Sequence, residues 1–254
     1  MATTFLTLTN ELLRRLNEVT LTTDTFAAAK NVQAIAKDSI NNSIREILQD
    51  GHEFPFLKTT QTQTLTAGTG TYDFASDMSS VDWDTFYLKT LTSESNTAKA
   101  LPTISFESYT RNYRTIEDAS GTGGRAAPNL IYQTAEEKFG VTPVPNAAYV
   151  IEYVYYKFPT ALGTNTSTGA ATNGTDSTYD TPIIPERFNY IIIDGAMVYM
   201  MRFRSNEQSA QIHQQKFMMG MKAMRRLLLD DKLYVESTMI QRPKFSSHML
   251  SLSS

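Results

Sequence analysis

The densest run of apolar positions along the chain spans residues 182–231, and it predicts two long helices joined by a tight turn. The first begins at Pro185, whose missing N–H costs nothing in a first helical turn. Phe188, Ile191, Ile192, Met197, Tyr199 and Phe203 are too dense for one face of a surface helix, so burial on most sides is expected. Ser205-Asn206-Glu207-Gln208 fits a capping box, with Ser205 holding an orphan N–H and Gln208 reaching back. The second helix carries Ile212, Phe217, Met221, Met224 and Leu228 at spacings of three to five, with Lys216, Lys222, Arg225 and Arg226 between them. Seven of the chain's eleven methionines fall in this stretch, which leaves two readings: core filler, or contact between subunits. On the second reading the interface residues are Met218, Met221, Arg225 and Arg226.

From the start of the chain, Leu8, Leu12, Leu16 and Val19 predict a short amphipathic helix over residues 6–19, with Arg14 and Arg15 facing away. A break at residues 21–24 offers Thr23 or Asp24 as N-cap of a second helix over 25–49. Val32, Ile35 or Ala36, Ile40, Ile44 and Ile47 mark its buried stripe. Ala27-Ala28-Ala29 would let another helix approach, and Gly51 ends it as a C′ residue.

Beyond Phe54 the period changes to two. Residues 56–65 alternate and are β-branched, so they read as a strand; a turn at 67–70 leads to a returning strand at 71–74. A third strand over 81–91 puts Trp83, Thr85, Tyr87 and Lys89 on one face and Phe86 and Leu88 on the other. A short helix is expected over 105–112 with Ser105 as its cap, then a flexible loop over 120–128, a hairpin from 129–133 and 138–141, and a strong strand over 149–158. Residues 160–181 contain eight Thr, three Gly and only two charges, Asp176 and Asp180. Such a stretch cannot bury enough apolar surface to fold alone and is expected to be a flexible loop. The tail, 232–254, has no steady period, and Pro243 precludes one continuous helix through it.

The expected fold class is therefore α+β. Two N-terminal and two C-terminal helices form an α-helical bundle (1–52 and 182–231), with an inserted β-rich module (53–159), a Thr/Gly-rich loop (160–181) and an extended C-terminal tail (232–254).

Composition narrows the function. The 254 residues are 41% hydrophobic, enough for a real core, and the net charge of −3 argues against a protein whose main task is gripping nucleic acid. With no Cys there is no disulfide framework, thiolate metal site or cysteine nucleophile. No apolar run reaches the roughly 20 residues of a membrane span. The N-terminus lacks a basic start followed by a long apolar region, so no secretory signal is expected, and synthesis is placed in a cytoplasm.

Catalytic chemistry finds no assembled set. His52, His213 and His248 are scattered, and a metal site needs a cluster. Asp82 and Asp84 flank Trp83 without a third acidic partner. Gly121, Gly123, Gly124 and Arg125 have the look of a phosphate loop but feed a strand, not a helix N-terminus. The reading is of a protein that is not an enzyme and needs no cofactor or metal. A different class, a glycan-binding module, would use Trp83, Tyr87, Tyr153, Tyr155 and Tyr156 as stacking platforms, although such aromatics serve equally in a sheet core. The tail is too apolar for an ordinary disordered terminus. Either it packs on its own domain or it docks, extended, into a partner with an acidic receiving surface.

Four segments carry a resemblance: FLTLTNELLRRLNEV from Phe5, GHEFPF from Gly51, SSVDWDTFYLK from Ser79, and PIIPERFNYIIIDGAMVYMMRFR from Pro182. Together with the order of elements they resemble the head–tail adaptor (connector) proteins of tailed bacteriophages, in particular those of short-tailed marine and cyanobacterial phages. The resemblance runs from about Phe5 to Asp231 and leaves the Thr/Gly loop unmatched. It implies a structural virion protein, made in the host bacterial cytoplasm and built into the neck. It implies a ring of twelve copies beneath the portal that extends the DNA ejection channel and carries the tail nozzle and tail fibres. It also implies that the tail reaches the portal, over residues 233–250, with Tyr234, Phe245, Met249 and Leu250 as apolar anchors and Arg242 and Lys244 as ionic ones. DNA would pass without sequence-specific binding, and no membrane is involved. Another neck or tail-tube component is the alternative within the same setting.

Overall fold

A computed structural model of the protein describes residues 3–49, 53–89, 98–115, 117, 121–134, 138–158 and 160–228. The chain is α+β, with one apolar cluster formed by helices and a second between two sheets.

The helical cluster begins with α1 (Phe5–Arg15). Its first turn is closed by a reciprocal box: the Thr4 N–H donates to Thr7 Oγ1 at 2.8 Å, and the Thr7 N–H to Thr4 Oγ1 at 3.4 Å. The helix ends at Arg15, earlier than the expected 19, because Asn17 turns left-handed (φ 55°) and the Glu18 N–H returns to the Leu13 carbonyl. Leu8, Leu12 and Leu16 are buried as expected; Val19, past the turn, is 76% exposed.

The expected helix over 25–49 is two pieces: α2 (Thr23–Phe26), led by Thr22 rather than Thr23 or Asp24, and α3 (Val32–Leu48). Asn31 at φ 51° separates them. The break lets Phe26 turn edge-on to Phe5, with ring centroids 5.1 Å apart, while Lys37 of α3 donates to the Phe26 carbonyl at 3.0 Å. Ala27 and Ala28 are exposed rather than receiving a helix. Ala36, Ile40, Ile44 and Ile47 form the buried stripe of α3; Gly51 lies outside the described residues.

Near the other chain end, Pro185 leads a 3₁₀ turn (Glu186–Phe188), and α5 (Asn189–Phe203) follows. Ile191, Ile192, Ile193, Ala196, Met197, Val198 and Met200 are all buried, so α5 is covered on most sides. Phe203, at its exit, is instead 53% exposed. The turn into α6 (Glu207–Leu228) is shifted by one residue from the expected box. Ser205 takes φ 56°, and Asn206 is the cap, its Oδ1 accepting the Ser209 N–H at 3.1 Å. α1, α3 and α6 each pack on α5. At Gly195 a Cβ would meet both Ser43 of α3 and the Phe217 ring of α6, so these helices come within contact of the α5 backbone.

The β-rich part has two four-stranded sheets. One orders β1 (Lys58–Leu65), β8 (Tyr149–Lys157), β3 (Met78–Lys89) and β4 (Ala98–Ala100). The other orders β2 (Thr71–Tyr72), β7 (Phe139–Thr142), β6 (Leu130–Gln133) and β5 (Thr103–Ile104). Thus β2 does not fold back on β1; it crosses to β7 in the facing sheet. The short helix α4 (Phe106–Tyr109) has Ser105 as its cap, accepting the Ser108 N–H at 3.2 Å. Strict alternation fails in β3: Asp82 pairs with Val154 and Tyr87 with Glu152, so a bulge lies between. The bulge turns Trp83 to the same side as Phe86, ring centroids 5.7 Å apart, instead of the face with Tyr87. Phe74, Phe86, Phe139 and Tyr153 complete this aromatic core.

Where a flexible loop is expected, residues 160–181 form a hydrogen-bonded segment against the helices. The Asp180 carbonyl accepts the Phe5 N–H at 2.7 Å and the Gly174 carbonyl the Leu6 N–H at 2.9 Å. Those two amides open α1 and have no partner within their own helix. The Asp180 side chain is fully buried, accepting from the Thr172 hydroxyl at 2.6 Å and the Asp176 N–H at 2.8 Å. Asn41 of α3 grips Leu162 through both its amide atoms. The segment supplies little apolar area; roughly 1.5–3 kcal/mol per large buried side chain comes instead from the Phe5 and Phe26 rings it lies on.

Gly174 (φ 82°) approaches Phe26 so closely that a Cβ would sit 2.8 Å from the ring, whereas Gly169 (φ 70°) faces open space. Gly169→Ala is expected to cost about 1–2 kcal/mol, the left-handed penalty alone. Gly174→Ala adds an overpacking cost of about 1–3 kcal/mol. Urea unfolding of the two variants measures the difference; equal costs would mean that the segment is not seated on Phe26.

Candidate functional site

The described residues hold no assembled catalytic set, and none of their His, Asp and Glu group at metal-ligand spacing. His213 of α6 lies with Nδ1 3.2 Å from Asp194 Oδ1 of α5, and Arg15 of α1 approaches the same oxygen at 3.7 Å. The three side chains link three helices; His213 and Asp194 are half-buried and Arg15 is exposed. His52 and His248 lie outside the described residues. Asp82 is ion-paired with Lys58 at 3.5 Å, and Asp84 is exposed. The Gly121–Gly124 stretch is a 3₁₀ turn, after which the Arg125 guanidinium lies over Gly68; it braces one loop on another.

The aromatics required for sugar stacking are divided. Tyr153 and Tyr155 are buried and Trp83 packs on Phe74 and Phe86, leaving Tyr87 exposed on the outer face. Tyr109 stacks on Tyr132 at 3.8 Å and donates to Glu117, whose other oxygen accepts from Thr142. Burial first, then hydrogen bonding to Tyr132 and to the Glu117 carboxylate, pushes the Tyr109 phenol up. A cleft of about 720 Å³ separates the end of β8 from residues 160–183; Asp77, Phe158, Leu162 and Ile183 line it. On its β side the Tyr155 hydroxyl donates to Asp77 Oδ1 at 2.9 Å. Burial first, then the Asp77 carboxylate, pushes the Tyr155 phenol up to about 12.

The features that point to a partner are surfaces. α6 buries Phe217, Met221 and Met224 against its own chain and turns a second apolar stripe outward. Ile212 is 55% exposed, Met219 72% and Leu227 67%; their spacings of seven and eight put them on one side of the helix. Lys216, Lys222 and Arg226, all exposed, flank this stripe. Of the expected interface residues, Met218 and Arg226 are exposed and Arg225 is half-buried. Met221, only 3% exposed, belongs to the core of its own chain. The apolar spacing read from the sequence joined exposed Ile212 to buried Phe217, Met221 and Met224 and omitted Met219 and Leu227, because a single stripe was fitted to a helix that carries two. Tyr234, Arg242, Lys244, Phe245, Met249 and Leu250 lie outside the described residues. No helix among the described residues is long and apolar enough to cross a membrane.

Comparison with known families matches residues 3–242, nearly the whole chain, to one family, described as SU10 adaptor protein. No curated protein matches the chain.

The raised Tyr155 phenol makes alkaline pH a probe of the cleft. Its folded value lies above the unfolded one near 10, so its contribution is fully present below pH 10 and is lost as pH rises toward 12. Tyr155→Phe is expected to flatten the fall in stability between about pH 10 and 12 relative to wild type, measured by urea unfolding at each pH. Parallel curves would contradict the assignment.

Proposed function

Since the chain belongs to the SU10 adaptor protein family, a family of phage structural adaptors, we propose that it forms a ring at the capsid vertex that joins the portal to the tail nozzle and fibres. The observation that carries this reading is the family match over residues 3–242, and the outward stripe on α6 supports it. A helix fixed on one side by Phe217, Met221 and Met224 can present Ile212, Met219 and Leu227 rigidly to a neighbouring copy. The ring has twelve copies on this reading, and Met218, Arg225 and Arg226 flank the contact. Residues 233–250 reach the portal, with Tyr234, Phe245, Met249 and Leu250 filling pockets and Arg242 and Lys244 meeting acidic groups.

The action is assembly and passage rather than turnover. A net charge of −3 suits a conduit, since a basic lining would hold phosphates and slow the DNA. The protein is made in the host cytoplasm and ends in the virion neck. A tail-tube or other neck component is the second reading; direct contact with portal distinguishes the two.

Two variants of the full protein test this, with electron microscopy of mixtures with the cognate portal as the readout. Deleting residues 233–254 is expected to abolish portal binding while leaving the melting temperature unchanged. Ile212→Lys with Met219→Lys is expected to reduce ring yield at least about tenfold. Because both side chains are exposed, its stability should change by no more than about 0.5 kcal/mol per site. Portal binding that survives the deletion undiminished would overturn the tail assignment, and unchanged ring yield would overturn the α6 contact.

A further inference from the structure

β1 is an edge strand: among the described residues only β8 pairs with it, in unbroken register from Lys58↔Tyr156 to Leu65↔Tyr149. The direction of its peptide groups follows from β8. The Val154 N–H donates to Thr85 Oγ1 at 3.0 Å and the Phe158 N–H to the Asp77 carbonyl at 2.7 Å, both on the β3 side. Even-numbered residues of β8 therefore point to β3 and odd-numbered ones to β1. By the same alternation Thr59, Gln61, Gln63 and Leu65 bond to β8, and the peptide groups of Lys58, Thr60, Thr62 and Thr64 point away from the sheet. All four of those side chains are exposed.

Long edges of this kind are ordinarily blunted by Pro, a bulge or inward charge. β1 has no Pro and no register shift, and its one charge, Lys58, stands at the end and is tied to Asp82. Its core-side positions Thr59, Gln61 and Gln63 are polar and half-buried, while their partners Tyr155, Tyr153 and Ile151 are buried. The edge therefore suits a polar strand better than an apolar arm.

We infer that β1 pairs antiparallel with β1 of a second copy of this chain, across a twofold axis at Gln61, fusing two four-stranded sheets into one. The strand KTTQTQTL is self-complementary in that register. Thr60 faces Thr62, Lys58 faces Thr64, Thr59 faces Gln63, and Gln61 faces its own copy. Every outward peptide group from Lys58 to Thr64 gains a partner, no like charges meet, and the threonine pairs are favourable ones. Centring the axis on Thr62 is poorer: it opposes Lys58 to Thr66, whose N–H is already held by the Tyr72 hydroxyl at 3.0 Å. The pairing is a state of the free protein and does not rest on the ring reading, whose symmetry is cyclic.

Analytical ultracentrifugation of the full chain from about 1 to 100 µM tests the inference. The expected species at high concentration has twice the 28.5 kDa chain mass. Thr60→Lys with Thr62→Lys sets lysine against lysine on an exposed face and should raise the dissociation constant at least about tenfold. Thr60→Lys with Thr62→Glu sets lysine against glutamate in the same register and should retain the dimer. Because the chain has no Cys, Gln61→Cys gives a covalent readout. At a non-hydrogen-bonded pair the Cα atoms stand about 4.5 Å apart, within disulfide reach, so mild oxidation should yield a cross-linked dimer. A monomer at all concentrations overturns the inference. So does a dimer indifferent to the double lysine, lost equally in both double variants, or not cross-linked by a folded Gln61→Cys protein. The charge variants keep the test decisive if Gln61→Cys does not fold.

Discussion

α5 has no polar face wide enough to meet water. Ile191, Ile192, Ile193, Ala196, Met197, Val198 and Met200 point in nearly every direction around its axis, and each must be covered. One neighbouring helix covers about a third of a cylinder, so α5 needs several. α6 follows it in the chain and covers one side; α1 and α3, from the opposite chain end, cover others. The helical part therefore closes only when the early helices α1 and α3 have met the late helices α5 and α6, with the β strands between them in sequence.

That closure leaves the entrance of α1 in need of acceptors. The segment after β8 supplies them through the Asp180 and Gly174 carbonyls, and its own polar groups are satisfied by Thr172, Asp176 and Asn41. A stretch that could not fold alone is thus folded by the helices it locks. The same economy of surface explains α6. Its inner stripe is committed to α5, so Ile212, Met219 and Leu227 remain exposed. The β sheets in turn commit Tyr153 and Tyr155 to their core, leaving β1 with its polar edge outward.

How much of this was legible in the sequence depends on the range of the interaction involved. The α+β class, Leu8, Leu12 and Leu16, the α3 stripe and the strand over 149–157 follow from local period and were readable. The break at Asn31 was not, because it serves Phe26's contact with Phe5, a residue distant in sequence. Trp83 was assigned to the wrong face because alternation does not reveal a bulge. The 160–181 segment was read from composition, which registers its lack of apolar area but not the two orphan amides at Phe5 and Leu6 that it satisfies. Of the candidate contact residues, Met221 was misjudged for a related reason: helical spacing identifies a stripe but does not say which of two stripes faces inward.

The hydrogen bonds from Phe5 and Leu6 tie residues 160–181 and the start of α1 into one cooperative unit with α5. Native-state hydrogen exchange on the intact chain tests it most directly, through the amides of Phe5 and Leu6, which the Asp180 and Gly174 carbonyls hold. These two amides are expected to be protected to nearly the same free energy as those in the middle of α5. Exchange of Phe5 and Leu6 at the rate of a fraying helix end, with α5 still protected, would contradict it.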